Sequence, residues 1–85
     1  KDVELFSDLK RLRMLDVRDN LMTQLTDTNF SRLSDLEILD LGGNDVNNWY
    51  SRVFASNEKL RILNLRTNNI TVMREGMLLD FYQIR

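Results

Sequence analysis

Two aspartates, two arginines and a pair of glycines carry most of the chemistry this sequence can offer. Asp16 and Asp40 stand 24 residues apart, and Arg18 and Arg66 stand at twice that separation with Gly42 midway. Paired carboxylates can share acid–base work or hold a metal ion. Arginines present forked donors suited to a carboxylate or a phosphate. The chain has no histidine and no cysteine. The commonest general base and metal ligand is therefore missing, as are disulfides, cysteine metal sites and thiol catalysis. With no nucleophile–base constellation and no phosphate loop in the sequence, the expectation is a chain that is not an enzyme and needs no cofactor.

Composition narrows the class further. Eighty-five residues suffice for one small domain, and 42% hydrophobic with 29% charged residues reads as globular. A net charge of −1 argues against a nucleic-acid partner held by bulk charge. No apolar run is long enough to span a bilayer, so direct membrane insertion is not expected. The first residues carry no leader pattern, which predicts a mature, trimmed or cytosolic chain.

The spacing of the charged residues follows a repeat. Leu12-x-x-Leu15-x-Val17-x-x-Asn20-x-Met22 recurs as Leu36-x-x-Leu39-x-Leu41-x-x-Asn44-x-Val46 and as Leu60-x-x-Leu63-x-Leu65-x-x-Asn68-x-Ile70. The starts at 12, 36 and 60 set a period of 24. Further columns accompany it: Phe6, Phe30, Phe54 and Leu78; Leu9, Leu33, Asn57 and Phe81; Leu25, Trp49 and Met73. Ile84 falls where a fourth unit would begin.

The pattern L-x-x-L-x-L-x-x-N-x-L, with a later F-x-x-L, resembles the leucine-rich repeat family over nearly the whole chain. The 24-residue period is similar to the typical class found in Toll-like receptor ectodomains. Asn57 departs from it, standing where the two preceding units have leucine. The resemblance implies an α/β fold: a leucine-rich repeat solenoid with a short parallel sheet on the concave face and irregular or short helical convex segments. Residues 1–85 then form one repeat segment with units at about 12–35, 36–59 and 60–83.

The residues support that architecture on physical grounds. Leu15 and Val17 alternate with Met14, Asp16 and Arg18, the period of a short strand. One such strand cannot bury its apolar face alone, whereas stacked units share a continuous core. Asn20, Asn44 and Asn68 come at the turn after each strand and carry both donors and an acceptor. They are expected to form a structural ladder that satisfies turn backbone and bridges units. Trp49 lies in a core column and is read as packing. Stacking also brings residues 24 apart side by side. The columns Arg11, Asp35, Lys59 and Arg13, Glu37, Arg61 then alternate in sign, which favours that register.

The concave face carries the candidate partner-binding residues. Met14, Ile38 and Ile62 form an apolar stripe, and Asp16, Asp40 and Asn64 a polar one. Arg18, Gly42 and Arg66 form a third, and Asp19, Gly43 and Thr67 a fourth. At about 4.8 Å per strand, Arg18 and Arg66 lie roughly 10 Å apart with Gly42 leaving a notch between them. The notch suits an acidic side chain or other anion of a partner. The competing arrangement folds the arginines onto Asp16 and Asp40. Those two aspartates, about 5 Å apart, have no third acid in their column and are read as keeping the face polar or touching a partner.

Asn29-Phe30-Ser31 and Asn69-Ile70-Thr71 are glycan acceptors if the protein is secreted, with Asn29 and Asn69 facing solvent. The start and end of the chain lack the polar caps that repeat arrays need. This predicts an internal fragment of a longer array, or one chain of an assembly, with flanking repeats or caps covering Leu78, Phe81 and Ile84. The resemblance implies a protein-recognition module of a receptor-like protein, innate-immune or cell-surface, extracellular and binding a protein ligand or co-receptor. The alternative is a structural spacer within a cytoplasmic adaptor or scaffold.

Overall fold

The computed structural model describes residues 10–49 and 51–84. Phe6 and Leu9, the first members of two expected columns, lie outside the described residues. Three short strands, β1 (Met14–Asp16), β2 (Ile38–Asp40) and β3 (Ile62–Asn64), form a parallel sheet in the order β1-β2-β3. The register pairs Met14 with Ile38 and Ile62, Leu15 with Leu39 and Leu63, and Asp16 with Asp40 and Asn64. Strand neighbours are therefore residues one repeat period apart. The ladder runs beyond the strands themselves: Val17 N–H donates to Asp40 O, Asp19 to Gly42 O, Leu41 to Asn64 O and Gly43 to Arg66 O, all at 2.9–3.0 Å.

Each strand ends in a turn that needs one left-handed residue. Asp19, Gly43 and Thr67 occupy it, with φ of 58°, 71° and 58°. The column expected as a fourth concave stripe is thus part of the turn backbone. Glycine is favoured at position 43 for two reasons. An L-residue is disfavoured at that φ, and a Cβ there would lie 2.0 Å from Asp19 Oδ1.

The core lies behind the sheet. Leu36, Leu39, Leu41 and Val46 of the middle unit are completely buried, whereas the equivalent Leu15 and Met22, and Leu63, Leu65 and Ile70, are only partly so. Among the described residues the middle unit is flanked on both sides, which is the position that buries most where each repeat contacts only the next. On the convex side, backbone bonds three residues apart recur: Leu33 N–H to Phe30 O and Leu36 N–H to Leu33 O, then Asn57 N–H to Phe54 O and Leu60 N–H to Asn57 O. These turns present Phe30 and Phe54 as a stacked pair, 6.0 Å between centroids and 12° from parallel. Trp49 meets Phe54 edge-on at 5.8 Å, which places it in the core.

The third convex segment is different. Residues Glu75–Gln83 form a short helix, α1, of nine residues. Met77, Asp80, Phe81 and Ile84 follow i, i+3, i+4, i+7 spacing and turn one face inward. Phe81 packs edge-on against Trp49 at 5.8 Å. This corrects one column: Leu78 does not continue the Phe30–Phe54 stack but points outward, 49% exposed. Helical rotation assigns the inward place to Met77, which is fully buried.

Asp80 anchors α1. Its carboxylate is buried and accepts hydrogen bonds from Trp49 Nε1 (2.8 Å), Val53 N (2.7 Å), Phe54 N (3.1 Å) and Arg52 Nε (3.2 Å). Gln83 Nε2 donates to Phe54 O at 2.6 Å, and Arg52 Nη2 donates to Gln83 Oε1. A buried carboxylate is tolerated only when paired and fully hydrogen-bonded, and here four donors converge on it. Asn57 is buried as well. Its amide donates to Phe30 O and Leu33 O of the preceding unit at 2.8 and 3.0 Å, which explains how a polar residue occupies a leucine position.

Candidate protein-recognition face

Strand alternation turns Leu15, Leu39 and Leu63 toward the core and leaves Met14, Ile38 and Ile62 outward beside Asp16, Asp40 and Asn64. Met14 is 58% and Ile62 45% exposed, with Ile38 half-buried between them. The outer face of the sheet thus carries a continuous apolar row. A contiguous exposed apolar row, unlike single scattered residues, is a feature that marks contact sites.

The polar row beside it is tied to the turns. Asp16 Oδ1 accepts the N–H of Arg18 at 3.1 Å, Asp40 Oδ1 that of Gly42 at 2.9 Å, and Asn64 Oδ1 that of Arg66 at 3.0 Å. Each side chain makes an Asx turn, the local bond that short polar side chains offer where a strand ends. Arg18 Nε also donates to both Asp16 oxygens, at 2.9 and 3.1 Å, and lies 3.8 Å from Asp40 Oδ2. The Arg18 hydrogen bonds, side-chain first and backbone second, lower the Asp16 pKa below its ordinary value. Asp16 in turn raises the Arg18 pKa. This environment holds Asp16 ionised, whereas a general acid needs its pKa raised.

Arg18 therefore folds onto the aspartates, and Arg66 does not. Arg66 is exposed, and among the described residues its guanidinium makes no hydrogen bond or ion pair. Between them is a shallow depression of ≈ 240 Å³ bordered by Asp19, Asp40, Gly42, Asn64 and the two arginines. Gly42 forms its floor and is itself buried. A Cβ there would lie 3.2 Å from Asp40 Oδ1 and 3.5 Å from Arg66 O.

The asparagines after the strands form the backbone of this edge. Asn44 Nδ2 donates to Leu41 O in its own turn (2.9 Å) and to Val17 O of the preceding unit (3.0 Å), while Asn44 Oδ1 accepts Met22 N–H (3.0 Å). Asn68 repeats the arrangement one unit on, with Leu65 O, Leu41 O and Val46 N. Asn20 donates to Val17 O and Arg18 O within its own turn.

A family model described as Leucine rich repeat matches residues 2–46, just over half of the 85-residue chain. The chain belongs to the leucine-rich repeat family. Members of this family generally act as protein-interaction modules, and the parallel sheet with one period between partners is the α/β repeat fold the family implies. Comparison with curated proteins and with solved structures found no match.

The leucine-rich repeat chain carries its charge columns on the flank of the sheet. Glu37 bridges Arg13 (3.0 Å) and Arg61 (3.4 Å), and Lys59 reaches Asp35 at 3.0 Å. Arg13 first, then Arg61, lower the Glu37 pKa. No ion pair joins Arg11 to Asp35 among the described residues. The two sequons differ. Asn69 is exposed and donates from Nδ2 to Asn47 Oδ1 at 3.2 Å. Asn29 is half-buried rather than turned fully to solvent, because its Oδ1 accepts Thr26 N–H at 2.7 Å. Sequence reasoning missed Asp80, Arg52 and Gln83. The available signal was an acid set among Met77, Phe81 and Ile84 at helical spacing. Among the described residues no helix is long and apolar enough to cross a membrane.

Proposed function

We propose that this leucine-rich repeat chain is a protein-recognition segment of a receptor-like protein, extracellular and part of a solenoid of the 24-residue class found in Toll-like receptors. Innate-immune or cell-surface ligand binding is the role this reading assigns. The observation that supports it is the exposed row Met14–Ile38–Ile62 next to an uncommitted Arg66. An aliphatic stripe flanked by a free guanidinium suits a partner with an apolar anchor and a nearby carboxylate, since arginine and buried apolar anchors dominate protein interfaces. Arg18 contributes less because its charge is already met by Asp16 and Asp40.

The same neutralisation of Arg18 favours a second reading, in which these units space other parts of an intracellular adaptor and the face touches nothing. Two measurements separate the readings. The protein is directed through a secretory pathway and its sequons are examined by mass spectrometry after enzymatic deglycosylation. It is also displayed and screened against a panel of extracellular protein ectodomains. The recognition reading expects secretion with a glycan on Asn69, and ligands that are lost on Ile62→Glu. Retention in the cell, or ligands indifferent to every substitution on this face, favours the spacer.

A further inference from the structure

A second concavity lies away from the sheet face, where the chain rises from each asparagine toward the convex side. It has a volume of ≈ 580 Å³, within the range of about 300–1,000 Å³ that holds small ligands. The repeat builds it from matching columns. Thr23, Asn47 and Thr71 are one period apart, as are Gln24 and Asn48, and Leu25 and Trp49. Leu25 and Trp49 are buried and form its apolar floor. Among the described residues, the rim consists of neutral hydroxyls and amides, with Asp27 the one charged side chain and no cation in the lining. Among the described residues, the side chains of Thr23, Gln24, Asn48 and Thr71 make no hydrogen bond within the protein.

This composition selects against most ligand classes. An anion finds no positive partner here, and an apolar peptide meets a polar rim. A neutral polyhydroxylated molecule matches uncommitted hydroxyl and amide groups that both donate and accept. We propose that this groove binds a neutral saccharide. One source of the sugar is within reach. Thr71, the third residue of the Asn69 sequon, lines the groove, and Asn69 Nδ2, the atom that would bear a glycan, donates to Asn47 Oδ1 on the rim. A chain attached at Asn69 starts at the edge of the groove. A sugar presented by another molecule has the same chemistry. Only the first source rests on the extracellular reading.

The test is an NMR titration of ¹⁵N-labelled, unglycosylated protein with di-N-acetylchitobiose. The expected result is saturable shifts confined to amides around 23–27, 47–49 and 71, with a Kd on the order of 1 mM, corresponding to roughly 4 kcal/mol of binding. Gln24→Ala combined with Thr71→Ala, both at exposed positions, weakens binding about tenfold or more as two hydrogen-bonding groups are lost. Unchanged far-UV circular dichroism establishes that the variant is folded. Shifts that fail to saturate, scatter over the molecule, or persist undiminished in the double variant overturn the proposal. A second arm uses protein secreted from glycosylating cells. If the Asn69 glycan is the occupant, the free disaccharide no longer binds and Asn69→Gln restores it. If glycosylated protein and Asn69→Gln bind equally, the groove still takes a saccharide, but from a partner.

Discussion

Gly43 and Thr67 hold the same place in successive turns and are not equivalent. Both have a left-handed φ, which suits glycine and strains a β-branched residue. Thr67→Gly is therefore expected to stabilise the protein by about 0.5–1 kcal/mol, the relief of the strain outweighing the entropy that glycine adds to the unfolded chain. Gly43→Ala is expected to cost about 1–3 kcal/mol, because the new methyl also meets Asp19 Oδ1. Urea unfolding of the pair measures both signs in one experiment. Neighbouring Asn44 is a sharper case. Its amide satisfies Val17 O and Leu41 O and its oxygen takes Met22 N–H. Asn44→Ala leaves these groups unpaired and should cost about 3 kcal/mol, whereas Asn20→Ala, at an exposed position, should cost under about 1 kcal/mol. Equal losses would show that the bridging bonds between units carry no weight. The ladder role could be read in the sequence because three asparagines recur at one spacing. The difference between Arg18 and Arg66 was also in the sequence, where the residue two before Arg18 is the acid Asp16 and the residue two before Arg66 is the neutral Asn64. Asp40 stands between β1 and β3, yet its Oδ2 faces Arg18.

The elements differ in how far their sequences announce them. The strands follow from alternation, and their register from the period, because a parallel neighbour one repeat away must present the same side chains to the same core. Helix α1 breaks that spacing. Its inward residues Met77, Asp80, Phe81 and Ile84 follow a helical period, while the column expectation extended the repeat period to Leu78. A buried carboxylate on an apolar face also hides the helix from a pattern of hydrophobic residues. Asp80 is what docks α1 to the preceding convex loop. Asp80→Ala strands Arg52, the Trp49 indole N–H and two backbone N–H groups. Its expected cost is about 3–5 kcal/mol, because three buried N–H donors lose their acceptor at about 1–3 kcal/mol each, while Arg52, 36% exposed, turns to water. Thermal unfolding followed by Trp49 fluorescence reads it directly, and a loss below 1 kcal/mol would mean that α1 is held by Met77 and Phe81 packing instead.

At the scale of the whole molecule, stability is pH-dependent through the outer face and the flank of the sheet. Asp16 and Glu37 have pKa values lowered by Arg18 and by Arg13 with Arg61. A carboxylate whose folded pKa lies below the unfolded one contributes stability above the unfolded value and loses it as pH falls through the folded value. The melting temperature should thus be level near neutrality and decline as pH drops below the ordinary values of 4.5 and 3.8. These pairs are exposed, so salt should flatten the decline. What the sequence conveyed well was periodic: the sheet, its register and the shared core of the stacked units. What it conveyed poorly was the choice between binding surface and scaffold, since the same aspartates that border the recognition face also close its turns.

We place partner recognition on the outer face of the sheet. The most direct test is the affinity of an ectodomain ligand for the wild type, Ile62→Glu, Arg66→Ala and Gly42→Glu, compared at one ionic strength. Losses of tenfold or more are expected for Ile62→Glu and Arg66→Ala, the size of an interface hot spot, and a loss for Gly42→Glu, which fills the depression with negative charge. Affinities that all stay within about 0.5 kcal/mol of wild type, well below a hot-spot effect, would contradict it.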